Sequence, residues 1–566
     1  MKFRFTILLV AVSLISNLAI AQKKKPSSQT LPIERFEDGD EISVEFDTKE
    51  SEGGYRTLSL GSDGMVVYYD VKDGKKNVNS YEFIKFDKDL NQEYTINYTL
   101  PEKVGIISLV ENAGKVYFLT AKSAKSIYAG SFIEKYTLVR FDPMEKKFTT
   151  FDGDFPTGGA YLKEIKVVND IAYMSLAKGY SPSTITLMTC VNACTCMLPM
   201  LFGITKPYKS NSELVVHNMQ TKAKKLSQFG YEKKKGGVYT MSMSVDDSTG
   251  LATLLLAAKA GKNLQVWTKD VESNGKAGKD ITLKLPPDKM INDVKLTTVD
   301  NKKYFFGQYI PMKKQVTFNL GGMTVGNGVA GVFFGVAGEK GLEKSIFTPY
   351  SKIKGFKAPL SNQEARMIKK GAKKGKGDVG INLMVHFGSP LIYNDEIITI
   401  GEVYYATYRT EVTTSYQNGR MVTTTRQVFD GYAFSNILVL AYNTKGELVW
   451  NNSIPYTRAK SFVIRDRVKA NLEEDGSVRI VYNNGYTVYS TLIDGDKVVE
   501  GKKVSIGKGG KKGDKVKYTG TDGNVEYWYD DFYTATGIQQ IKNKELKGKD
   551  KKRTVFYIRR VEVSND

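Results

Sequence analysis

The chain has 566 residues, of which 41% are hydrophobic, but it contains only three cysteines. A chain of this length can bury a large core, and so few cysteines exclude a fold held together by disulfides. Lysine and arginine outnumber aspartate and glutamate by 82 to 61, which gives a formal net charge of +21. Most of the excess is lysine among glycines, as in solvated turns. Arginines interleaved with aromatics are not evident, so no nucleic-acid partner is predicted.

The first residues have the pattern of an export signal. Lys2 and Arg4 precede an uncharged run that ends in Ala19-Ile20-Ala21, a small-x-small cleavage site. The run is short for a membrane span, so a Sec signal peptide is expected. The expected divisions of the chain are a signal peptide at 1–21, a basic and polar linker at 22–40 and a single domain at 41–566. We expect the exported protein in the periplasm, with the cell surface or the outer membrane as the alternative.

Units of four short strands recur along the domain. In the clearest unit a strand ends at Glu111, the tight turn Asn112-Ala113-Gly114 follows, and the next strand runs from Val116 to Thr120. A third strand, Tyr136 to Phe141, leads through a second tight turn into a fourth. β-Branched and aromatic residues dominate these strands, and Gly, Asp and Asn dominate the turns.

The first turn of the unit recurs eight times. The turns are Ser62-Asp63-Gly64, Asn112-Ala113-Gly114, Asn169-Asp170, Asp247-Ser248-Thr249-Gly250, Asp300-Asn301-Lys302, Asn394-Asp395, Asp475-Gly476 and Asp522-Gly523. Such a unit can bury both of its faces only between neighbours in a closed ring. The sequence therefore predicts an all-β fold, a β-propeller of four-stranded antiparallel blades, with eight blades expected and seven as the alternative.

The last unit has only three strands. They read KVKYTGT, NVEYWYDDFYTATG and RTVFYIRRVEV, with the tight turn at Asp522-Gly523 between the first two. The segment EISVEF, residues 41–46, precedes the first full unit and has no other partner. We therefore expect this N-terminal strand to complete the last blade and close the ring.

Three connections between the second and third strands of a unit are long. They span residues 178–212, 311–330 and 408–430, and we expect them to emerge on one face of the ring. The third carries the hairpin signal Asn418-Gly419 in a threonine-rich, aromatic stretch. The second contains a G-x-G-x-x-G match from Gly326 to Gly331, but a strand follows it where a dinucleotide site needs a helix, so no cofactor is predicted.

The first connection carries all three cysteines, Cys190, Cys194 and Cys196. Structural zinc needs four thiolate or imidazole ligands, so no metal site is predicted. A local disulfide from Cys190 to Cys194 or Cys196 is expected instead. No charged residue occurs between Lys178 and Lys206, and a contiguous apolar loop favours contact with a partner or a membrane.

Apolar side chains of this loop are the predicted anchors. They are Met188, Leu198, Met200, Leu201 and Phe202. We expect them to dock onto an envelope protein or, because lysines flank the loop, onto an anionic membrane surface. The alternative is that the loop folds back to plug the mouth of the ring or to cover a blade edge. The sequence makes no prediction of the oligomeric state.

Signals for catalysis are weak. Two histidines, His217 and His386, argue against imidazole-centred catalysis, and a structural role is expected for His217. Asp530-Asp531 beside Trp528 and Tyr529 is the best candidate for a sugar site, because aromatic rings stack on sugar faces. Adjacent residues of a strand point to opposite faces, however, so this pair cannot flank one glycosidic bond. The sequence therefore predicts that the protein is not an enzyme.

Three stretches of the chain share a pattern with a known group. They are YAFSNILVLAYNTKGELVWNNSIP at 432–455, GVFFGVAGEKGLEKSIFTPYSKIKGF at 331–356, and the ending YWYDDFYTATGIQQIKN…KKRTVFYIRRV. In these stretches the chain resembles uncharacterised exported β-propeller-like proteins of Bacteroidota. The resemblance implies export and the propeller fold, and it implies no activity.

These observations favour a non-enzymatic, exported propeller that acts as a binding or scaffolding module in the cell envelope. Its working face would be the one that carries the long connections. The alternative is a carbohydrate-binding or carbohydrate-cleaving propeller that uses the central channel, with Trp528 and Tyr529 as binding residues.

Overall fold

The chain folds into small antiparallel sheets, one after another. A computed structural model describes residues 33–38, 41–48, 54–72, 79–101, 104–122, 135–155, 161–178, 211–229, 238–260, 263–299, 302–311, 318–320, 323–325, 328–357, 380–417, 420–456, 459–507, 509–519 and 523–563. Their regular elements are β-strands and three 3-10 helices, Gly61–Asp63, Tyr350–Lys352 and Gly548–Lys551. The all-β prediction is confirmed. Within these ranges no helix has the length and apolar character needed to cross a membrane.

The strands are numbered in chain order. Those up to residue 283 are β1 (Ile33–Asp38), β2 (Glu41–Thr48), β3 (Arg56–Ser59), β4 (Met65–Lys72), β5 (Asn79–Phe86), β6 (Gln92–Thr99), β7 (Val104–Asn112), β8 (Lys115–Lys122), β9 (Lys135–Asp142), β10 (Lys147–Asp154), β11 (Tyr161–Val168), β12 (Ile171–Lys178), β13 (Asn211–Asn218), β14 (Lys224–Phe229), β15 (Val238–Val245), β16 (Ala252–Ala260), β17 (Asn263–Val271) and β18 (Ala277–Leu283). Those beyond it are β19 (Lys289–Val299), β20 (Lys302–Pro311), β21 (Phe318–Leu320), β22 (Met323–Val325), β23 (Gly331–Gly338), β24 (Gly341–Pro349), β25 (Met384–Phe387), β26 (Leu391–Tyr393), β27 (Glu396–Gln417), β28 (Arg420–Asn443), β29 (Leu448–Pro455), β30 (Lys460–Ser461), β31 (Val468–Leu472), β32 (Val478–Asn483), β33 (Thr487–Asp494), β34 (Lys497–Ser505), β35 (Asp514–Thr519), β36 (Asn524–Tyr529), β37 (Phe532–Asn543) and β38 (Lys552–Glu562).

Eight sheets with four or more strands form the blades in the described part of the chain. Blades 1 to 4 are β3–β6, β7–β10, β11–β14 and β15–β18; blade 5 is β19, β20, β23 and β24; blade 6 is β25–β30; blade 7 is β31–β34; and blade 8 is β35–β38 with β2 and β1. β21 and β22 pair only with each other, in the long connection of blade 5. The prediction of eight antiparallel blades is confirmed.

The second strand of each blade is buried on both faces, and this builds the ring. In β8, Tyr117 and Leu119 pack against blade 3, whereas Val116 and Phe118 pack against blade 1. Successive side chains of a strand point to opposite faces, so one strand supplies core residues to two neighbouring blades. The described residues form eight such apolar clusters, one between each pair of neighbouring blades.

The N-terminal strand closes the ring, as the sequence predicts. β2 pairs with β38 in antiparallel register, from Ser43 opposite Arg559 to Thr48 opposite Thr554. Its apolar residues Val44 and Phe46 join the cluster between blades 8 and 1. Blade 8 therefore combines β1 and β2 from near the start of the chain with β35–β38 from near its end, and the pairing of β2 with β38 closes the ring.

A buried ion cluster holds the closing strand in place. Arg553 of β38 lies 3.1 Å from Glu45 of β2 and 2.5 Å from Asp514 of β35, and all three side chains are almost fully buried. Glu45 also accepts the backbone N–H of Gly510 at 2.7 Å. Burial opposes ionisation of Asp514, but hydrogen bonds from Arg553 and Asn543 hold its pKa below the ordinary value.

One expectation about the last unit is wrong. The stretch NVEYWYDDFYTATG is two strands, β36 and β37, which pair from Asn524 opposite Thr536 to Tyr529 opposite Phe532. The tight turn between them is Asp530-Asp531, and Asp530 has a positive φ of 43°. The described strands on either side of Asp522-Gly523, β35 and β36, both pair with β37 rather than with each other. Aspartate tolerates the left-handed conformation, so this pair makes the turn inside an apparently continuous strand.

The long connections differ in how much of them the structure describes. Residues 179–210, with all three cysteines and the five predicted apolar anchors, lie outside the described residues, as does the predicted signal peptide. The third connection is a long hairpin, in which β27 and β28 stay paired from Glu396 opposite Asn443 to Gln417 opposite Arg420.

Replacing Arg553 by methionine tests the ring closure. The variant leaves Glu45 and Asp514 buried without their cation, and removing one partner of a buried ion pair costs about 3–5 kcal/mol. We expect a clearly lower midpoint of chemical unfolding. Arg426→Met is the control, because Arg426 pairs with Glu411 at an exposed position. Equal midpoints for the two variants would show that the cluster does not hold the closing strand.

Candidate functional site at the mouth of the channel

The first strands of the blades surround the central axis. Neighbouring first strands contact each other around the ring, among them β7 with β11, β11 with β15, β15 with β19, and β36 with β3. Each first strand begins at the end of the channel where connections between blades arrive. Side chains near these starts therefore meet at one mouth of the channel, although they come from distant parts of the sequence.

β-Bulges interrupt four of these strands near their starts. The shifts in register lie between Ile106 and Ser108, Leu162 and Glu164, Thr240 and Ser242, and Asn292 and Lys295. Lys163, in the second bulge, donates to the backbone oxygens of Thr240 and Met241 in the third. Bulges re-aim side chains and are common beside functional sites, so this ring of bulges marks the mouth as a candidate site.

Asp293 occupies the largest of these bulges, with a positive φ of 48°. Gly307 of β20 lies directly opposite, and a Cβ there would be 2.6 Å from the backbone oxygen of Asp293 and 3.0 Å from the Cα of Val294. The bulge therefore needs glycine at this position. Asp293 is accessible to solvent, yet the surrounding protein desolvates its carboxyl and raises its pKa above 3.8.

A histidine–aspartate pair joins blades 6 and 7 at the same mouth. His386 of β25 lies with Nε2 2.8 Å from Oδ1 of Asp466, which immediately precedes blade 7. Burial alone would lower the pKa of His386, but the hydrogen bond and charge of Asp466, together with the charge of Asp293, raise it. Burial alone would raise the pKa of Asp466, but His386 lowers it. The Asp466 side chain is 45% exposed, so solvent reaches this pair.

Asp293, His386 and Asp466 form one electrostatic unit with two lysines. The charges of His386, Lys295 and Lys163 act on Asp293, and those of Asp293 and Lys295 act on His386. The two carboxyl groups are driven in opposite directions, because the pKa of Asp293 is raised and that of Asp466 is lowered. Such a difference lets one carboxyl hold a proton while the other is ionised.

A buried glutamate supports the segment that carries Asp466. Glu402 of β27 pairs in register with His386 and accepts the backbone N–H groups of Arg467 at 2.7 Å and Val468 at 3.1 Å. Burial raises the pKa of Glu402 to about 7, against the opposing effect of these hydrogen bonds and of the Arg467 charge. The Glu402 carboxylate thus fixes the backbone that directly follows Asp466.

More ionisable side chains line the first strands around the channel. Lys469 pairs with Glu526 at 2.8 Å, and Lys166 lies 4.0 Å from Glu164. Burial and the charge of Glu526 raise the pKa of Glu111 to about 7. The first strands therefore present both lysines and carboxylates around the channel.

Trp528 and Tyr529, the aromatic residues that the sequence suggests for sugar binding, do not lie at this mouth. Trp528 is 1% exposed and packs in the cluster between blades 8 and 1, where its Nε1–H donates to the backbone oxygen of Gly64 at 2.9 Å. Tyr529 packs on the ring of Trp528 and donates to the backbone oxygen of Lys88 at 3.2 Å. A ring as buried as that of Trp528 has no face open to a sugar.

The two histidines have different surroundings. His217 is buried between blades 2 and 3, with Nδ1 3.1 Å from the hydroxyl of Tyr136. Burial and the charge of Lys224 lower its pKa. His386 is the functional candidate, and sequence reasoning missed it together with Asp293 and Asp466. The sequence did contain one usable signal. Polar residues occur at the starts of first strands, and the first strands of a propeller surround its channel.

The described residues contain no group of three or more His, Cys, Asp or Glu side chains arranged to hold a metal ion.

Comparisons with known proteins assign neither a family nor a reaction to the chain. No protein-family model matches the chain, and no curated protein is significantly similar to it. Similar solved structures include the polysaccharide lyase Uly1, with TM-score 0.33 and 10% identity over 81% of this chain and 90% of that one. A second is Trypanosoma rangeli sialidase in complex with sialic acid, with TM-score 0.29 and 10% identity over 92% of this chain and 59% of that one. A third is Porphyromonas gingivalis dipeptidyl peptidase 4, with TM-score 0.36 and 9% identity over 88% of this chain and 59% of that one.

The chain spans 59% of the sialidase and of the peptidase, and similarity this low carries no argument about its reaction. The prediction that the protein is not an enzyme is withdrawn: by their names all three similar structures are enzymes, which gives that prediction no support, although they assign no activity to this chain. The reasoning behind it also fails, since it considered adjacent carboxylates, whereas Asp293 and Asp466 come from different blades. The resemblance to Bacteroidota proteins stays a prediction.

Titration of the two histidines by NMR tests the electrostatics of the mouth. With only His217 and His386 in the chain, one imidazole should titrate below pH 6.5 and the other above it. Asp466→Asn removes the hydrogen-bonded charge, so the upper midpoint should fall and the lower one should stay. If neither midpoint moves, Asp466 does not control His386.

Proposed function

We propose that the protein is a carbohydrate-active propeller that cleaves a glycan at the mouth of its channel. One arrangement carries this proposal: Asp293 in its bulge and the hydrogen-bonded Asp466–His386 pair come from three neighbouring blades to one mouth of the channel, where their surroundings shift the pKa values of the two carboxyl groups apart. Glycoside hydrolysis uses one protonated carboxyl and one ionised carboxylate on either side of the bond.

The two carboxyl groups have separate roles in this proposal. Asp293 donates its proton to the glycosidic oxygen as the bond from the anomeric carbon to that oxygen breaks. Asp466 accepts a proton from the water whose oxygen bonds to the anomeric carbon. His386 is a positioning residue, which holds Asp466 in place and keeps it ionised. Asp293 supplies the proton and the water supplies the hydroxyl group that the products gain. The proton taken up by Asp466 then returns to Asp293 through solvent, so that one water is consumed per bond broken.

The expected export of the protein suits a glycan substrate. An export signal at residues 1–21 would place the chain among the glycans of the cell envelope, and its positive net charge favours acidic neighbours. The apolar loop around Cys190 would then contact an envelope protein or an anionic membrane surface.

A panel of defined polysaccharides tests the proposed reaction. Mass spectrometry should show products that together have gained one water per bond broken. Asp293→Asn and Asp466→Asn should each lower the rate about 10²-fold or more, since general acid–base catalysis contributes about 10²–10⁴-fold. Asp530→Asn is the matched control, because Asp530 also has a positive φ but lies in the turn after β36. No cleavage by the wild type, or full activity of both variants, would overturn the proposal.

The pH dependence of that cleavage gives a second test. Asp466 must be ionised and Asp293 protonated, so the rate should rise as pH increases through the lowered pKa of Asp466. It should fall as pH increases further through the raised pKa of Asp293. The expected profile is a bell whose two limbs lie on either side of pH 3.8. A rate that keeps rising above neutral pH would contradict the role of Asp293.

A further inference from the structure

The long hairpin formed by β27 and β28 bends at the point where it leaves blade 6. The register of β27 and β28 shifts between Ala406 and Tyr408. The hydroxyl of Thr407 fills the bend, and its one hydrogen is shared between the backbone oxygens of Gly431 at 2.7 Å and Asp430 at 3.0 Å. Gly431 has a positive φ of 89°, and a Cβ there would lie 3.0 Å from the backbone oxygen of Ser461. These contacts fix the direction in which the hairpin leaves the blade.

Exposed aromatic rings gather at this base. Tyr408 is 47% exposed, Phe429 is 39% exposed and Phe462 is 58% exposed. The ring of Phe429 lies 6.0 Å from that of Tyr408 and 6.2 Å from that of Phe462. We call these three residues the aromatic platform. Folding does not bury the platform, and exposed apolar clusters of this kind mark contact sites.

The platform is continuous with the channel mouth. Phe429 lies 5.1 Å from the ring of Tyr432, which lies 5.5 Å from that of Tyr404. Burial, and then the negative charge of Asp293, raise the pKa of Tyr404, so this tyrosine is within electrostatic reach of the proposed acid. Along the chain, Phe462 begins the segment that leads from β30 to Asp466.

Polar groups surround the rings of the platform. Lys460 pairs with Asp430 at 2.5 Å beside Phe429. Further along the hairpin, Arg409 and Arg426 both pair with Glu411. Ring faces among hydrogen-bonding side chains suit a ligand that presents both C–H faces and hydroxyl groups. A glycan chain has this chemistry, whereas docking of a lipid surface or of an apolar protein face would cover these charged groups without pairing them.

We propose that Tyr408, Phe429 and Phe462 bind sugar residues of a glycan chain that extends outward from the channel mouth. This inference rests on the proposed function and adds the kind of substrate, a polymer longer than the site of cleavage itself. The platform holds the distal part of the chain, so that its contribution to binding grows with chain length.

Calorimetric binding to size-graded oligosaccharides tests the platform. The probes are disaccharides and octasaccharides of cellulose, chitin and hyaluronan, with Asp293→Asn protein to prevent turnover. Phe429→Ala and Phe462→Ala should each weaken binding of the best octasaccharide about tenfold, the effect of losing one ring contact of ordinary strength. Disaccharide binding should not change. Met421→Ala is the matched control, because Met421 is exposed on the hairpin away from the platform.

The other possible outcomes contradict either the platform proposal alone or the platform proposal together with the proposed function. Equal losses for short and long probes would show that the variants disturb the mouth, which overturns the outer platform. Unchanged octasaccharide binding would also overturn it and leave the proposed function intact. If the variants instead abolish self-association of the protein, the platform is a contact between copies. If no probe and no polysaccharide of the panel binds, the proposed function fails and the platform proposal fails with it.

Discussion

Burial of the second strands on both faces is the constraint on which the rest of the structure depends. Val116 and Tyr117 are neighbours in one strand, but they belong to cores shared with two different blades. No blade can bury its apolar residues alone, so the cores are completed only when the ring closes. The pairing of β2 with β38 and the buried contact of Arg553 with Glu45 make that closure. Folding therefore couples the start of the domain to its end.

The same ring brings together side chains that the sequence keeps apart. Asp293, His386 and Asp466 come from blades 5, 6 and the start of blade 7, and each lies near the beginning of a first strand. The bulge at Asp293 and the support of Asp466 by Glu402 are local devices that aim these groups. The bulge departs from regular strand geometry, and Glu402 is a carboxyl group buried away from solvent. Such departures persist where the surrounding fold compensates for them, and functional sites are where they concentrate.

The sequence predicts the blades well because their signals are local. Turn residues such as Asn169 and Asp170, with φ of 50° and 57°, mark the tight turns directly, and alternating apolar residues mark the strands. The missing fourth strand of the last unit likewise predicts the role of residues 41–46. The site is not predictable in this way, because it depends on which first-strand residues share a level in the channel. A bulge changes that level without leaving a sequence signal. Trp528 shows a second difficulty, because a conspicuous aromatic residue can pack between two blades instead of facing the channel.

The most direct test of the account is a crystal structure of the Asp293→Asn protein with a bound oligosaccharide. In the expected complex a glycosidic bond of the oligosaccharide lies between the side chains at positions 293 and 466, and the distal sugars lie towards Phe429 and Phe462. Sugar bound at another place on the ring, with the mouth occupied only by solvent, would contradict the assignment of the site.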